Sequence, residues 1–180
     1  MVSERTEFMF LTPENPSYTN AFAAVPKAVE AFQSLSIDDK LGLLWVLHKH
    51  MGDLVHTGDL VASSSAGAAQ QVRLVGGLDY EVASLAHKEQ LRVLRDLVWG
   101  VNTPVTLDYE MLSTSNKLAF WRQLAEWMQS GEVIPVPEDY ELSAQAAAAL
   151  KKIVALESRQ QVAVLCLIVG KMRADRWRFR

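Results

Sequence analysis

Four stretches of the chain open in the same way. A leucine is followed, after four residues, by Lys or Gln, then an aliphatic residue, any residue, an apolar one and a large apolar one. The leucines are Leu35, Leu85, Leu112 and Leu156. The stretches after them read Lys40-Leu41-Gly42-Leu43-Leu44, Gln90-Leu91-Arg92-Val93-Leu94, Lys117-Leu118-Ala119-Phe120-Trp121 and Gln161-Val162-Ala163-Val164-Leu165. Any amphipathic helix opened through a hydrophobic staple has this look, so the pattern specifies helices first. Duplication of one unit is the second reading. The separations of 50, 27 and 44 residues are too irregular for a solenoid and suit a bundle of two related halves. Period-2 alternation is scarce, and no Asn-Gly or Asp-Gly hairpin turn occurs. The expected fold class is all-α.

Caps and breakers set the helix limits. Ser36 can cap a helix whose inner stripe is Leu41, Leu44, Trp45, His48 and Met51. Asp38 and Asp39 suit the positive end of its dipole, and Gly52 ends it. Ser115 opens a helix through Leu118, Trp121, Leu124, Ala125 and Met128, closed by Gly131. Further helices are predicted over 86–99, ending at Gly100, over 144–156, capped by Ser143, and over 158–173. A shorter one spans 26–34 with Pro26 in its first turn. Asn102-Thr103-Pro104 and Pro135-Val136-Pro137 read as breaks between helices. From 52 to 77 the pattern is least legible: 63–67 reads as a loop and 68–75 as two turns of helix. The chain thus divides into an N-terminal arm (1–23), a helical domain (24–172) and a basic tail (173–180) carrying four arginines and Trp177.

A chain of 180 residues suits one domain or two intimately packed halves. It is 49% hydrophobic with a mean hydropathy of +0.04, which excludes disordered and disulfide-scaffold classes. The net charge of -3 argues against nucleic acid as a partner. Cys166 is the single cysteine, so no intrachain disulfide or cysteine metal cluster can form. The first residues lack the apolar run of a signal peptide. Residues 162–170 fall far short of the roughly 20 that a membrane span needs. A soluble, cytoplasmic protein is expected.

Signatures of catalysis are missing: the chain has no nucleophile elbow, phosphate-binding loop, HExxH zinc motif or dinucleotide glycine pattern, and no enzymatic activity is expected. His48 and His50, two apart on a helix, point about 200° apart and cannot share a metal. His48 has no ligand spacing with Asp53 or His56. Cys166, between Leu165 and Leu167, reads as an inert buried thiol. The five tryptophans say more. Trp45 lies one turn before His48, and Met128 follows Trp121 by two turns. An ordinary aromatic core is one reading. The other is a slot for a flat, extended apolar molecule, with Arg122 and His48 near its ends. A helix of about 16 residues is about 24 Å long, enough to flank a long polyene.

The residues around these tryptophans carry a resemblance. Leu35-Ser36-Ile37-Asp38-Asp39-Lys40-Leu41-Gly42-Leu43-Leu44-Trp45, running to Met51-Gly52, resembles a helix of the N-terminal domain of the orange carotenoid protein. So does Asn116-Lys117-Leu118-Ala119-Phe120-Trp121, with Met128, Gly131 and Val133-Ile134-Pro135-Val136-Pro137. Tyr140-Glu141-Leu142-Ser143, Asp96-Leu97, Thr103-Pro104 and the stretch from Leu156 to Val162 complete the match, over roughly 24–172. Because the chain stops where that domain stops, it resembles the stand-alone helical carotenoid proteins of cyanobacteria.

The resemblance implies an all-α fold of two interleaved helical bundles with a ketocarotenoid, such as canthaxanthin or echinenone, threaded between them. It implies photoprotection by singlet-oxygen quenching. Alternatives are energy dissipation from the phycobilisome antenna, or a pigment-free helical interaction module. A separate carotenoid carrier like the family's C-terminal domain, and a second copy of the chain, are the further partners implied. A cytoplasmic site, peripheral to thylakoid membranes, follows from the same likeness. Carried over by position, the tunnel is lined by Leu41, Leu44, Trp45 and His48, by Leu118, Trp121, Arg122, Ala125 and Met128, and by Leu94, Val136, Tyr140, Val162, Ala163 and Val169. Trp121 would stack on one terminal ring.

This chain departs from the family in four places. His48 stands where the family has a pocket tyrosine. Arg122 replaces the tyrosine after the stacking tryptophan and could stack on a ring or reach a keto group. Cys166 replaces an arginine implicated in docking to the second domain and the antenna, for which the arginines of the tail are the alternative. The 52–77 segment exceeds the usual family loop, with 63–67 as an insertion.

Overall fold

The computed structural model describes residues 16–51 and 66–172, which hold eight helices and no strand. They are α1 (Pro16–Gln33), α2 (Ile37–Met51), α3 (Ala66–Ala83), α4 (His87–Trp99), α5 (Pro104–Glu110), α6 (Thr114–Ser130), α7 (Ala144–Val154) and α8 (Ser158–Lys171). Gly52, Asp53, His56, residues 63–65 of the expected loop, most of the expected arm and the whole tail with Trp177 lie outside the described residues.

The fourfold sequence pattern marks four helical hairpins: α1–α2, α3–α4, α5–α6 and α7–α8. Leu35, Leu85, Leu112 and Leu156 each sit in a three-residue corner. In every corner the leucine amide donates to the carbonyl three residues back, on Phe32, Val82, Tyr109 and Ile153, at 3.0–3.2 Å. The Lys or Gln five residues on lies in the second helix. Where it is glutamine its amide reaches back to the last carbonyl of the first helix: Gln90 Nε2 to Ala83 O at 3.2 Å, and Gln161 Nε2 to Val154 O at 3.3 Å. A helix end leaves carbonyls without intrahelical partners, and these side chains satisfy one each. The pattern therefore encodes a corner as well as an amphipathic face.

Several helix limits differ from the sequence expectation. Ser113, not Ser115, caps α6, accepting from the Asn116 amide. Thr103-Pro104 opens α5 instead of merely breaking the chain: Thr103 and Thr106 form a reciprocal capping box, and Pro104 takes the first position, where its missing N–H costs nothing. Helix α1 begins at Pro16, inside the expected arm, and carries Pro26 in its interior. Helix α3 runs for 18 residues through Gly76 and Gly77, where only two turns were expected. Pro26 and Gly76 are both helix breakers by propensity, and tertiary packing overrides both.

The hairpins combine across the chain. Helices α1, α2, α7 and α8 form one bundle, and α3 to α6 form the other. The first bundle is built from the two outer hairpins and encloses the second in sequence, which makes the bundles interleaved. They meet where α2 packs on α4 and α6, and where α6 packs on α8. Residue i of α1–α2 corresponds to i + 50 in α3–α4, and residue i of α5–α6 to i + 44 in α7–α8. Core positions follow this register: Ala28 with Leu78, Phe32 with Val82, Leu44 with Leu94, Leu47 with Leu97, and Leu124 with Ile168 are all buried.

Candidate functional site

A cavity of about 390 Å³ opens where α2, α4 and α6 meet the connection between α6 and α7. Helix α2 supplies a stripe at helical spacing: Asp38, Leu41, Gly42, Trp45 and His48, with Leu44 behind it. Helix α4 adds Leu91, Leu94 and Arg95. Helix α6 adds Trp121, Leu124, Ala125 and Met128. Ile134, Pro135, Val136, Pro137 and Tyr140 close the remaining side. The lining is mostly aliphatic and aromatic, as small-molecule sites are.

The connecting segment is held in place by one buried side chain. Gln90 accepts the Ile134 amide at 2.6 Å and donates to Glu132 O at 3.3 Å, besides its bond to Ala83 O. Burying its amide is tolerable only because both of its ends are paired. The two prolines fix an extended path from there, and Tyr140 lies against α2 at Gly42. A Cβ on Gly42 would overlap the Tyr140 ring, so the glycine makes the recess in which this wall sits. Burial, and then Asp39 and Asp38, push the Tyr140 hydroxyl pKa up.

Trp121 is fixed from behind. Its Nε1–H donates to Tyr109 Oη at 2.9 Å, and Tyr109 donates to Val169 O at 3.2 Å. Tyr109 is 0% exposed, and its ring meets Phe120 and Trp121 edge to face. This chain of bonds joins α6, α5 and α8 and leaves the indole one orientation. Trp45 is half-buried, with Lys49 Nζ at 5.2 Å from its ring. At the mouth, Arg95 pairs with Asp38 through two bonds of 2.8 and 3.2 Å. Both partners are exposed, so the pair orders the rim and adds under about 1 kcal/mol.

His48 is the polar group of the wall at the opposite end of the α2 stripe from Asp38. Its Nε2 is buried and has no hydrogen-bond partner. Burial, and then the charge of Arg122, lower its pKa to about 4, so the ring is neutral near pH 7.

The structure brings Leu41, Leu44, Trp45, His48, Leu94, Trp121, Ala125, Met128, Val136 and Tyr140 around this one cavity. It places the other expected tunnel residues elsewhere. Leu118 and Val169 are core, Val162 and Ala163 are half-buried on α8, and Arg122 pairs with Glu126 at 3.1 Å outside the cavity. Cys166 is half-buried, its thiol pKa raised by burial. Trp127 packs beside the core, whereas Trp99 is 71% exposed. Gln90, Tyr109, Gly42, Leu91 and Arg95 were missed. Two of them had a signal: Gln90 holds the repeated Lys/Gln position, and a corner at Leu112 requires a helix before it, which is α5 with Tyr109. Among the described residues no group of three potential metal ligands occurs, and no helix is long and apolar enough to cross a membrane.

The geometry defines a helical domain built around an apolar, tryptophan-walled slot between two bundles. The family described as "Orange carotenoid protein, N-terminal" matches residues 18–175. An orange carotenoid-binding domain-containing protein of Nostoc sp. is 38% identical over 84% of this chain and 85% of its own length. The orange carotenoid-binding protein of Synechocystis sp. is 33% identical over 82% of this chain, which spans 45% of that longer relative. Among solved structures, the Orange Carotenoid Protein of Anabaena (Nostoc) sp. PCC 7120 binding canthaxanthin is similar with a TM-score of 0.71 and 34% identity, over 83% of this chain and 45% of that one. The Red Carotenoid Protein of the same organism, binding a mixture of carotenoids, is similar with a TM-score of 0.69 and 28% identity, over 83% of this chain and 98% of that one. The chain belongs to the orange carotenoid protein N-terminal domain family.

Proposed function

We propose that this chain binds a ketocarotenoid and protects by quenching singlet oxygen. The observation that carries the reading is the cavity itself: an apolar slot between the bundles, walled by Trp45 and Trp121. Its stripe on α2 runs ten residues from Asp38 to His48, about 15 Å. That length takes one end ring and the first conjugated bonds, and the rest of a polyene follows the seam between the bundles. The bound polyene supplies the low-lying electronic states that accept the energy of singlet oxygen. The protein needs no general base or nucleophile for this. Its residues bind the polyene, orient it and exclude other reactions. Trp121, locked by Tyr109, presents a fixed ring face. The Gln90-anchored segment closes the slot.

Expression in a ketocarotenoid-producing host should give an orange or red protein with a broad visible band. This holoprotein should shorten the lifetime of singlet-oxygen phosphorescence, where the colourless apoprotein does not. A colourless preparation from that host would end the reading.

A further inference from the structure

The cavity is polar at two places about 15 Å apart. At the mouth, Asp38, Arg95 and Tyr140 are exposed or half-buried, and Asp38 and Arg95 are paired. At the far end of the α2 stripe stands His48, with leucine and tryptophan before it and a buried Nε2 that bonds to nothing. A buried nitrogen left unpaired is destabilising, and a ligand atom that pairs it removes that cost. Arg122, the residue the sequence offered for reaching a keto group, is engaged by Glu126 outside the cavity. His48, on which the Arg122 charge acts, is the polar group that lines the cavity at this end.

Resting on the proposed carotenoid binding, we infer that His48 selects an oxygen-bearing end ring over a hydrocarbon ring, its Nε2–H donating to the ring oxygen. The imidazole is neutral near pH 7, and a neutral ring carries one N–H, which serves as the donor when it sits on Nε2. A ketone oxygen accepts only, so the two groups are complementary. A hydrocarbon ring fills the same volume and leaves Nε2 unpaired. Sites built to bond a ligand oxygen reject the analogue that lacks it far more strongly than apolar pockets tell methylene groups apart.

The test is a competition. The apoprotein is offered equal canthaxanthin and β-carotene, and the retained pigments are extracted and quantified. The wild-type chain should enrich canthaxanthin by about tenfold or more. His48→Phe should bring the ratio to about parity, and His48→Tyr, which restores a donor, should bring the enrichment back. An equal preference in the wild type and His48→Phe, or none in the wild type, would overturn the inference. A measurement that needs no variant is the ring C=O stretch of bound canthaxanthin. It should fall below the frequency of the pigment in an apolar solvent, and an unshifted band would also overturn the role of His48. Should the chain retain neither pigment, the proposed function itself fails, and that result is distinct from retention without preference.

Discussion

The two bundles share one frame but not one filling. In the places where the first bundle buries Val29, Ile153, Val164 and Leu165, the second buries Asp79, Tyr109, Phe120 and Trp121. The second core places the rings of Tyr109, Phe120 and Trp121 and the carboxyl of Asp79 where the first has aliphatic side chains, whereas Phe32 is the buried ring of the first bundle, matching Val82. Matching positions on α2 and α4 also differ. Trp45 of α2 matches Arg95 of α4, both on the cavity, and His48 of the cavity wall matches Val98, which lies outside it. Backbone symmetry alone would give two equivalent slots. These differences leave one of the two symmetry-related positions distinct, because the Trp121 indole with its Tyr109 anchor and the unpaired His48 imidazole have no counterparts at the matching places.

The comparison breaks most sharply at Trp121. Trp121→Ala should cost about 3–5 kcal/mol in urea unfolding and leave the Tyr109 hydroxyl without its donor. It should also release most of the pigment. Leu165→Ala, in the matching place, should cost about 2–4 kcal/mol and leave the cavity wall standing. Equal pigment loss in both variants would mean that the ring face of Trp121 has no special part.

Titration gives the next contrast, through two buried groups with opposite signs. Asp79 is 5% exposed, its Oδ1 has no partner, and burial raises its pKa to about 7. In the folded state it favours its neutral form. Its contribution is therefore present below the unfolded value near 3.8 and is lost as pH rises through about 7. For His48 the folded value is depressed from 6.5 to about 4, so its contribution is present above 6.5 and is lost as pH falls toward 4. Asp79→Val, which copies Val29, should stabilise the protein by about 2–4 kcal/mol at pH 7.5. It should also leave a steeper fall in stability on acidification from pH 6.5 to 4. His48→Phe should do the reverse and leave a protein that becomes more stable as pH falls from 7 toward 4. Chemical denaturation across pH 4–8 reads all three slopes.

How much of this was visible beforehand follows the same division. The repeat, the corners and the inner stripe of α2 are local patterns, and the sequence displays them in the spacing around Leu35, Leu85, Leu112 and Leu156. The symmetry that pairs the outer hairpins needs contacts between residues over a hundred positions apart, and no local pattern records those. Helix α3 was obscured because Gly76 and Gly77 interrupt its propensity, although α1 carries its own breaker in the matching place. The tryptophan and leucine walls could be named from spacing and resemblance. Gln90 and Tyr109 act through distant partners, Ile134 and Val169, so their chemistry appears only once the chain is folded. Arg122 shows the reverse case: its residue type suited a ligand, and the fold pairs it with Glu126 while its charge still acts on His48.

Gln90 and Gln161 sharpen the comparison further. Both return to the helix before them, but Gln161 bonds only within its own hairpin, to Val154 and Leu156, whereas Gln90 also holds Glu132 and Ile134 of the cavity wall. Gln90→Ala should cost about 2 kcal/mol and Gln161→Ala about 1. Only the former should broaden the visible band and speed pigment loss, by loosening the segment over the slot.

The smallest effect concerns the breakers. Gly76 sits in α3 where Pro26 sits in α1, and a Cβ at Gly76 or Gly77 would meet nothing within 4 Å. A glycine inside a helix costs about 0.5–1 kcal/mol relative to alanine, mostly because the unfolded chain has more freedom to lose. Gly76→Ala should therefore stabilise by about that amount and raise Tm by about 2–4 °C, with the pigment ratio unchanged. A loss of stability would mean that α3 needs the glycine for its packing on α5 and α6. The matched breakers would then be part of the shared frame, and not a local cost that each hairpin bears separately.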